Sequence, residues 1–265
     1  MTVVLILIVA YALVVATAYV WQRRLLYFPD THRPSSGQLQ VLGLQYWPSG
    51  DGYRGVISEP ATPDIRGTVV VFHGNAGAAW QRDYYPQALV PLGYRVVLAE
   101  YPGYGGRPGR PTEETFVTDA KTTIDRVYQE FGGPLFLWGE SLGAGVAAAV
   151  AADPPVPVDS VVLITPWDTL GDLAQSLYWY LPAKLLMRDR YDNIGNLRSF
   201  EGPVAVLMAE RDEVIPPRRS SRLYESLPGP KRLWVFPGAG HNSWPTGPAE
   251  KWWLEVVDFV SDERP

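Results

Sequence analysis

A serine flanked by glycines, a histidine that follows glycines and an aspartate between them in the chain are the residues whose spacing could do chemistry. Gly139-Glu140-Ser141-Leu142-Gly143 sits after an apolar run ending at Trp138 and before a small-residue stretch containing Ala144, Gly145, Ala147 and Ala148. A G-x-S-x-G turn between a strand and a helix projects the serine hydroxyl from a strained backbone. That hydroxyl is a weak nucleophile until a neighbouring base takes its proton. The chain holds 3 histidines. His32 lies in a proline-rich stretch, and His73 ends an apolar run before Gly74-Asn75-Ala76-Gly77. His241, in Pro237-Gly238-Ala239-Gly240-His241-Asn242, follows the last apolar run and is the expected base. The acid that would hold its tautomer should follow the preceding strand, where Asp212 stands in Ala209-Glu210-Arg211-Asp212-Glu213. Asp212 is favoured over its rival Asp168, and Glu210 and Glu213 read as solvated or capping carboxylates.

Acyl transfer also requires two fixed donors for a developing oxyanion. The amides of Leu142, after the nucleophile, and Asn75, in the glycine-rich loop, are the candidates. Tyr101-Pro102-Gly103-Tyr104-Gly105-Gly106 is a second glycine-rich exit whose spacing does not match a phosphate loop, and it reads as pocket wall. His73, Tyr101 and Tyr104 are therefore candidate pocket residues, together with Trp179 and Leu185. No metal is implied, since the chain lacks a paired-histidine helix motif and any cysteine cluster, and the motifs call for no cofactor.

These residues need a frame. Apolar, β-branched runs at Thr68 to Phe72, Tyr94 to Ala99, Leu135 to Trp138, Ser160 to Ile164, Val204 to Met208 and Leu233 to Phe236 predict six parallel strands. Between them, helices are predicted near Trp80 to Leu92, Thr112 to Glu130, Leu142 to Ala151, Arg218 to Ser226 and Ala249 to Ser261. A doubly wound sheet places its ligand groups at the carboxyl ends of its strands, where the candidates stand. Ahead of it, Leu39 to Trp47 and Tyr53 to Ser58 predict an antiparallel hairpin around Pro48-Ser49-Gly50-Asp51-Gly52. The connection from Thr165 to Gly202 is far longer than an ordinary strand-to-helix loop. Its apolar centre, Leu177 to Met187, predicts a lid insertion at about 168–200, with plain packing on the sheet as the alternative.

At the N-terminus, Val3 to Val20 carries no charge and would cover roughly 27 Å as a helix. Trp21 and Tyr27 suit a membrane interface, and Arg23 and Arg24 place the following domain on the cytoplasmic side. A periplasmic or extracellular domain is the alternative. Ala16-Thr17-Ala18 resembles a cleavage site, but the basic stretch of an export signal is missing, which favours a retained anchor. The expected organisation is an anchor and juxtamembrane segment at 1–28, a linker at 29–38 rich in Pro, Ser and Gly, and a catalytic domain at 39–265. With 265 residues, of which 46% are hydrophobic, one large core is affordable. A net charge of -5 without a basic run argues against a nucleic-acid partner. The absence of cysteine removes disulfides and a thiol nucleophile.

From about Gly67 to the C-terminus the chain resembles the α/β-hydrolase superfamily. The resemblance is carried by His73-Gly74-Asn75-Ala76-Gly77, Tyr101-Pro102-Gly103-Tyr104-Gly105, Gly139-Glu140-Ser141-Leu142-Gly143, the Asp212 loop and Gly240-His241. Together they look like small membrane-anchored abhydrolase-domain proteins, whose relatives include protein depalmitoylases. That resemblance implies esterase, lipase or thioesterase chemistry, with Asn75 and Leu142 as oxyanion donors. Ser141 would attack an acyl carbonyl and water would cleave the acyl-enzyme. An apolar lid beside an anchor makes a membrane lipid or lysolipid the expected substrate, ahead of an S-acylated protein. Acyl transfer to another acceptor uses the same residues, and a catalytically silent membrane scaffold is the non-enzymatic alternative.

Overall fold

A computed structural model of the chain describes residues 1–50 and 52–261. A long helix, α1 (Thr2–Leu26), leads into a short one, α2 (Ser36–Val41), and then β1 (Gln45–Trp47) and β2 (Gly55–Ser58). There follow β3 (Gly67–Phe72), α3 (Tyr84–Leu89), β4 (Tyr94–Ala99), α4 (Glu113–Phe131), β5 (Leu135–Glu140), α5 (Leu142–Ala152) and β6 (Ser160–Ile164). Three short helices come next, α6 (Leu170–Leu177), α7 (Ala183–Leu186) and α8 (Asn193–Leu197), before β7 (Val204–Ala209), α9 (Pro217–Ser226), β8 (Lys231–Phe236) and α10 (Lys251–Ser261).

The described strands form an 8-stranded sheet in the order β8-β7-β6-β5-β3-β4-β2-β1. Strands β3 to β8 pair in parallel, whereas β2 runs antiparallel to both β4 and β1. The six predicted parallel strands and the α/β-hydrolase fold class are thus observed. Alternation explains why these strands read as unbroken apolar runs. Val70, Leu137, Val161 and Val206 face a core shared with α4, α5 and α9. Val71, Trp138, Val162 and Ala205 face another shared with α3 and α10. Both sheet faces are buried, so neither needs polar alternation.

Three expectations about the N-terminal region change. The run from Leu39 to Trp47 is not one strand, because Ser35 and Gln38 form a reciprocal capping box that starts α2. Only Gln45, Tyr46 and Trp47 pair across the hairpin, with Ile57, Val56 and Gly55. Asp51, placed in its turn, lies outside the described residues. The stretch 29–38 is not a free linker, since Phe28–Pro29 pairs in parallel with Ala76–Gly77 and Asp30 accepts a hydrogen bond from Gln81 at 2.8 Å. The helix expected at Trp80 to Leu92 is broken into a 3-10 turn, α3 and a second 3-10 turn, with Pro91 lacking the donor that would continue it and Gly93 ending it at φ 92°.

The long connection holds α6, α7 and α8. Its base is closed by pairing of Thr169 with Asp192 and by the Leu170 amide, which donates to the Tyr191 carbonyl at 3.2 Å. The helix α1, longer than the expected Val3 to Val20, is the one helix among the described residues long and apolar enough to cross a membrane.

Candidate active site

Ser141 sits between β5 and α5 with φ 51° and ψ -111°, a conformation that costs a non-glycine residue free energy. Packing imposes it. A Cβ on Gly143 would lie 1.8 Å from the Phe72 carbonyl oxygen, and one on Gly139 2.4 Å from the Gly143 oxygen. Both glycines are therefore required by backbone approach. The Ser141 amide is tied to the Ile164 carbonyl at 2.9 Å, which pins the turn to β6. Beneath the serine, Glu140 accepts hydrogen bonds from Tyr84 at 2.5 Å and Tyr85 at 3.1 Å, and Arg82 lies 3.4 Å away. Burial, and then the Glu140 charge, push both phenols well above their usual range, so both stay protonated as donors.

His241 Nε2 lies 2.9 Å from Ser141 Oγ, and its Nδ1 lies 2.7 Å from Asp212 Oδ2. The other carboxylate oxygen of Asp212 accepts the amides of Val214 at 2.9 Å and Ile215 at 2.6 Å. A carboxylate so saturated with donors favours Nδ1–H on the imidazole, leaving the Nε2 lone pair toward the serine hydroxyl. The neighbouring acids have structural work. Glu213 accepts the His241 amide at 3.1 Å, and Glu210 accepts the Gly238 amide at 2.7 Å, so both brace the histidine loop. Asp168 is committed elsewhere, with Arg219 donating to it at 2.9 Å and the Arg222 guanidinium 3.5 Å away as a second ion-pair partner.

The amides of Asn75 and Leu142 donate to no protein acceptor among the described residues, and both residues border the cavity next to Ser141. The loop carrying Asn75 is held from behind. His73 Nδ1 donates to the Gly74 carbonyl at 2.8 Å, fixing the peptide plane that also carries the Asn75 amide. His73 Nε2 meets Glu100 at 3.0 Å, and the other Glu100 oxygen accepts the Ala79 amide at 3.0 Å. Tyr101 and Tyr104 donate at 2.8 Å to the carbonyls of His73 and Asn75 respectively.

A cavity of about 510 Å³ opens over Ser141 and His241. Its walls are Trp167, Leu170, Leu173, Leu177 and Leu181 from the long connection, Val214 and Ile215 from the Asp212 loop, and Ala18, Gln22, Leu25 and Leu26 from α1. None of the five expected pocket residues lines it. His73, Tyr101 and Tyr104 are buried behind the loop, because their polar tips satisfy its backbone groups rather than facing an apolar space. Trp179 and Leu185 point outward and are 79% and 83% exposed.

The participation of α1 in the cavity wall has little local sequence signal. Its C-terminus is capped by the Asn75 side chain, whose Nδ2 donates to the Leu26 carbonyl at 3.0 Å. Arg23 grips Asp189 through two hydrogen bonds of 2.9 and 3.0 Å, and Gln22 donates to the Leu186 carbonyl at 3.1 Å. The one hint was that Gln22 and Arg23 place polar groups on the last turns of an otherwise apolar helix.

Comparison with known proteins agrees with this architecture. A family model described as serine aminopeptidase, S33, matches residues 63–188. An uncharacterized protein of Mycobacterium tuberculosis is 35% identical over 233 residues, 84% of this chain and 82% of that protein. The lysophosphatidylserine lipase ABHD12 of Danio rerio is 32% identical over 184 residues, 62% of this chain and 48% of the lipase, so the chain spans about half the length of that relative. Among solved structures, a monoacylglycerol lipase of Paleococcus ferrophilus aligns with a TM-score of 0.59 at 24% identity, covering 77% of this chain and 97% of that one. A Pyrococcus furiosus esterase aligns with a TM-score of 0.67 at 17% identity, covering 89% and 96%, and both structures share the fold. With this sheet order, this serine turn and these relatives, the chain belongs to the α/β-hydrolase superfamily, among its abhydrolase-domain serine hydrolases.

Proposed function

We propose that this protein cleaves long-chain acyl esters of membrane lipids or lysolipids, with Ser141 as nucleophile, His241 as general base and Asp212 as the acid that orients it. The observation that carries the reading is the hydrogen-bonded series from Ser141 through His241 to Asp212 at the floor of an apolar cavity of about 510 Å³. That volume lies within the range of small-ligand sites.

In this mechanism Ser141 Oγ attacks the acyl carbonyl carbon while Nε2 of His241 takes its proton. The tetrahedral oxyanion accepts hydrogen bonds from the Asn75 and Leu142 amides, which are otherwise unoccupied. Collapse of the intermediate expels the alcohol, protonated by His241, and leaves the acyl group on Ser141. Water, deprotonated by the same imidazole, then releases the fatty acid. His73 acts as a positioning residue, since its bond to the Gly74 carbonyl orients the Asn75 amide. The insertion and α1 hold the hydrocarbon, and α1 serves as the membrane anchor. The lipase named among the relatives is in keeping with a lysophospholipid ester as substrate.

The test is a direct comparison of fatty-acid release from lysophospholipids and from S-palmitoyl peptides by the full chain in detergent. Release from the lysophospholipid at a rate at least about tenfold higher is expected. Release from the thioester alone would overturn the lipid assignment in favour of deacylation of proteins.

A further inference from the structure

The insertion that covers the cavity has an outer face as apolar as its inner one. Trp179, Tyr180 and Leu185 are exposed large side chains outside the cavity lining. A soluble surface rarely keeps such a patch without a partner. Its position relative to α1 identifies that partner. Tyr11 donates from its hydroxyl to the Tyr180 carbonyl at 3.0 Å, so the tip of the insertion lies beside the middle of the apolar helix. The polar belt is nearer the helix end, where Gln22 accepts the Arg188 amide at 2.8 Å and Arg23 holds Asp189. Tyr11 and Gln22 are separated along the helix by about 16 Å at the α-helical rise, and a tilt of α1 reduces the depth this represents.

Backbone at that depth must satisfy its own polar groups. At the tip it does so in part, for the Trp179 and Tyr180 amides donate to no protein acceptor among the described residues. The Tyr180 carbonyl is taken by Tyr11, and the Leu181 carbonyl accepts from Gln175 Nε2 at 2.8 Å. The Leu181 amide donates to the Tyr178 carbonyl at 2.9 Å, and residue 182 is a proline with no amide to satisfy. Lys184, the sole charged residue between Leu177 and Met187, is paired with Asp172 at 2.5 Å.

We infer that the tip of this insertion, Tyr178 to Leu185, is embedded in the hydrocarbon of one bilayer leaflet, and that acyl chains enter the cavity sideways between this tip and α1. The occupant of the outer face is the acyl region of the membrane itself. The helix α1 is then both anchor and cavity wall, since Ala18, Gln22 and Leu25 line the space where the chain would lie. The lateral entry rests on the lipid-ester reading, whereas the depth of the tip does not.

The absence of native cysteine allows single labels without background. Nitroxides on Trp179→Cys and Leu185→Cys, with Val235→Cys on the opposite edge strand as reference, are read by electron paramagnetic resonance in phosphatidylcholine liposomes. The tip labels are expected to be relaxed by oxygen and shielded from an aqueous nickel chelate, and the Val235 label the reverse. Fluorophosphonate labelling of each variant certifies the fold. Tip labels as open to the chelate as Val235 would overturn the embedding. The double variant Trp179→Asp, Leu185→Asp then tests entry. It should lower hydrolysis of a long-chain ester presented in liposomes at least about tenfold while leaving a short soluble ester unaffected. An unchanged liposome rate would refute lateral entry. Failure of the wild type to hydrolyse either ester would instead refute the lipid-ester function and leave the depth result standing.

Discussion

Ser141→Ala should lower acyl-ester hydrolysis by about 10⁶-fold in kcat, the scale of loss when a nucleophile that acts as a unit with its base is removed. At 1.36 kcal/mol per decade this is roughly 8 kcal/mol of transition-state stabilisation. The substitution is small, and the alanine inherits the strained φ of 51° without a new clash. The protein should therefore stay folded, with an unchanged melting temperature to within a few degrees. Reaction with a fluorophosphonate reads the chemistry separately, because the reagent needs only an activated hydroxyl. Labelling should vanish in Ser141→Ala. Labelling that persists would place the nucleophile elsewhere, and a well-folded wild type that never labels would revive the silent-scaffold reading.

The second large effect separates the two aspartates that compete for the role of acid. Asp212→Asn should reduce kcat by about 10⁴-fold, since an amide no longer selects the Nδ1–H tautomer or stabilises the imidazolium. Asp168→Asn should instead act on stability. Its carboxylate faces Arg219 and Arg222, and its loss leaves the mostly buried Arg219 without its anionic partner. The expected result is a lower melting temperature with kcat retained within about tenfold. Measuring both parameters on both variants distinguishes the roles. A large fall in kcat for Asp168→Asn, with Asp212→Asn nearly active, would reverse them.

The parts legible in the sequence were those governed by local rules. The six parallel strands were readable because burial on both faces makes each an unbroken apolar run, and the serine turn because Gly139 and Gly143 are demanded by backbone approach. Asn75, Leu142, Asp212 and His241 could be nominated because each follows a strand on the same edge of the sheet, and the structure brings them together around Ser141. What was not legible depends on contacts between distant segments. Tyr101 and Tyr104 have the composition of a pocket wall, yet their hydroxyls point at carbonyls of the Asn75 loop. Trp179 and Leu185 announce an apolar insertion, but helical phase and the position of α1 decide which side chains turn inward. The cavity uses Leu177 and Leu181, while Trp179 and Leu185 turn outward. The Arg23 pair with Asp189 spans 166 residues, so no window of sequence contains it. The stretch 29–38 looks like a linker by composition, although Pro29 pairs with Gly77 and Asp30 accepts a hydrogen bond from Gln81.

The central claim, that a serine hydrolase site serves a long hydrocarbon chain, is tested most directly by hydrolysis rate against acyl-chain length in detergent, with Ser141→Ala as the blank. A rate that climbs to a maximum at long chains and disappears in the blank is the predicted result. A maximum at two to four carbons, or a rate equal in the blank, would contradict the account.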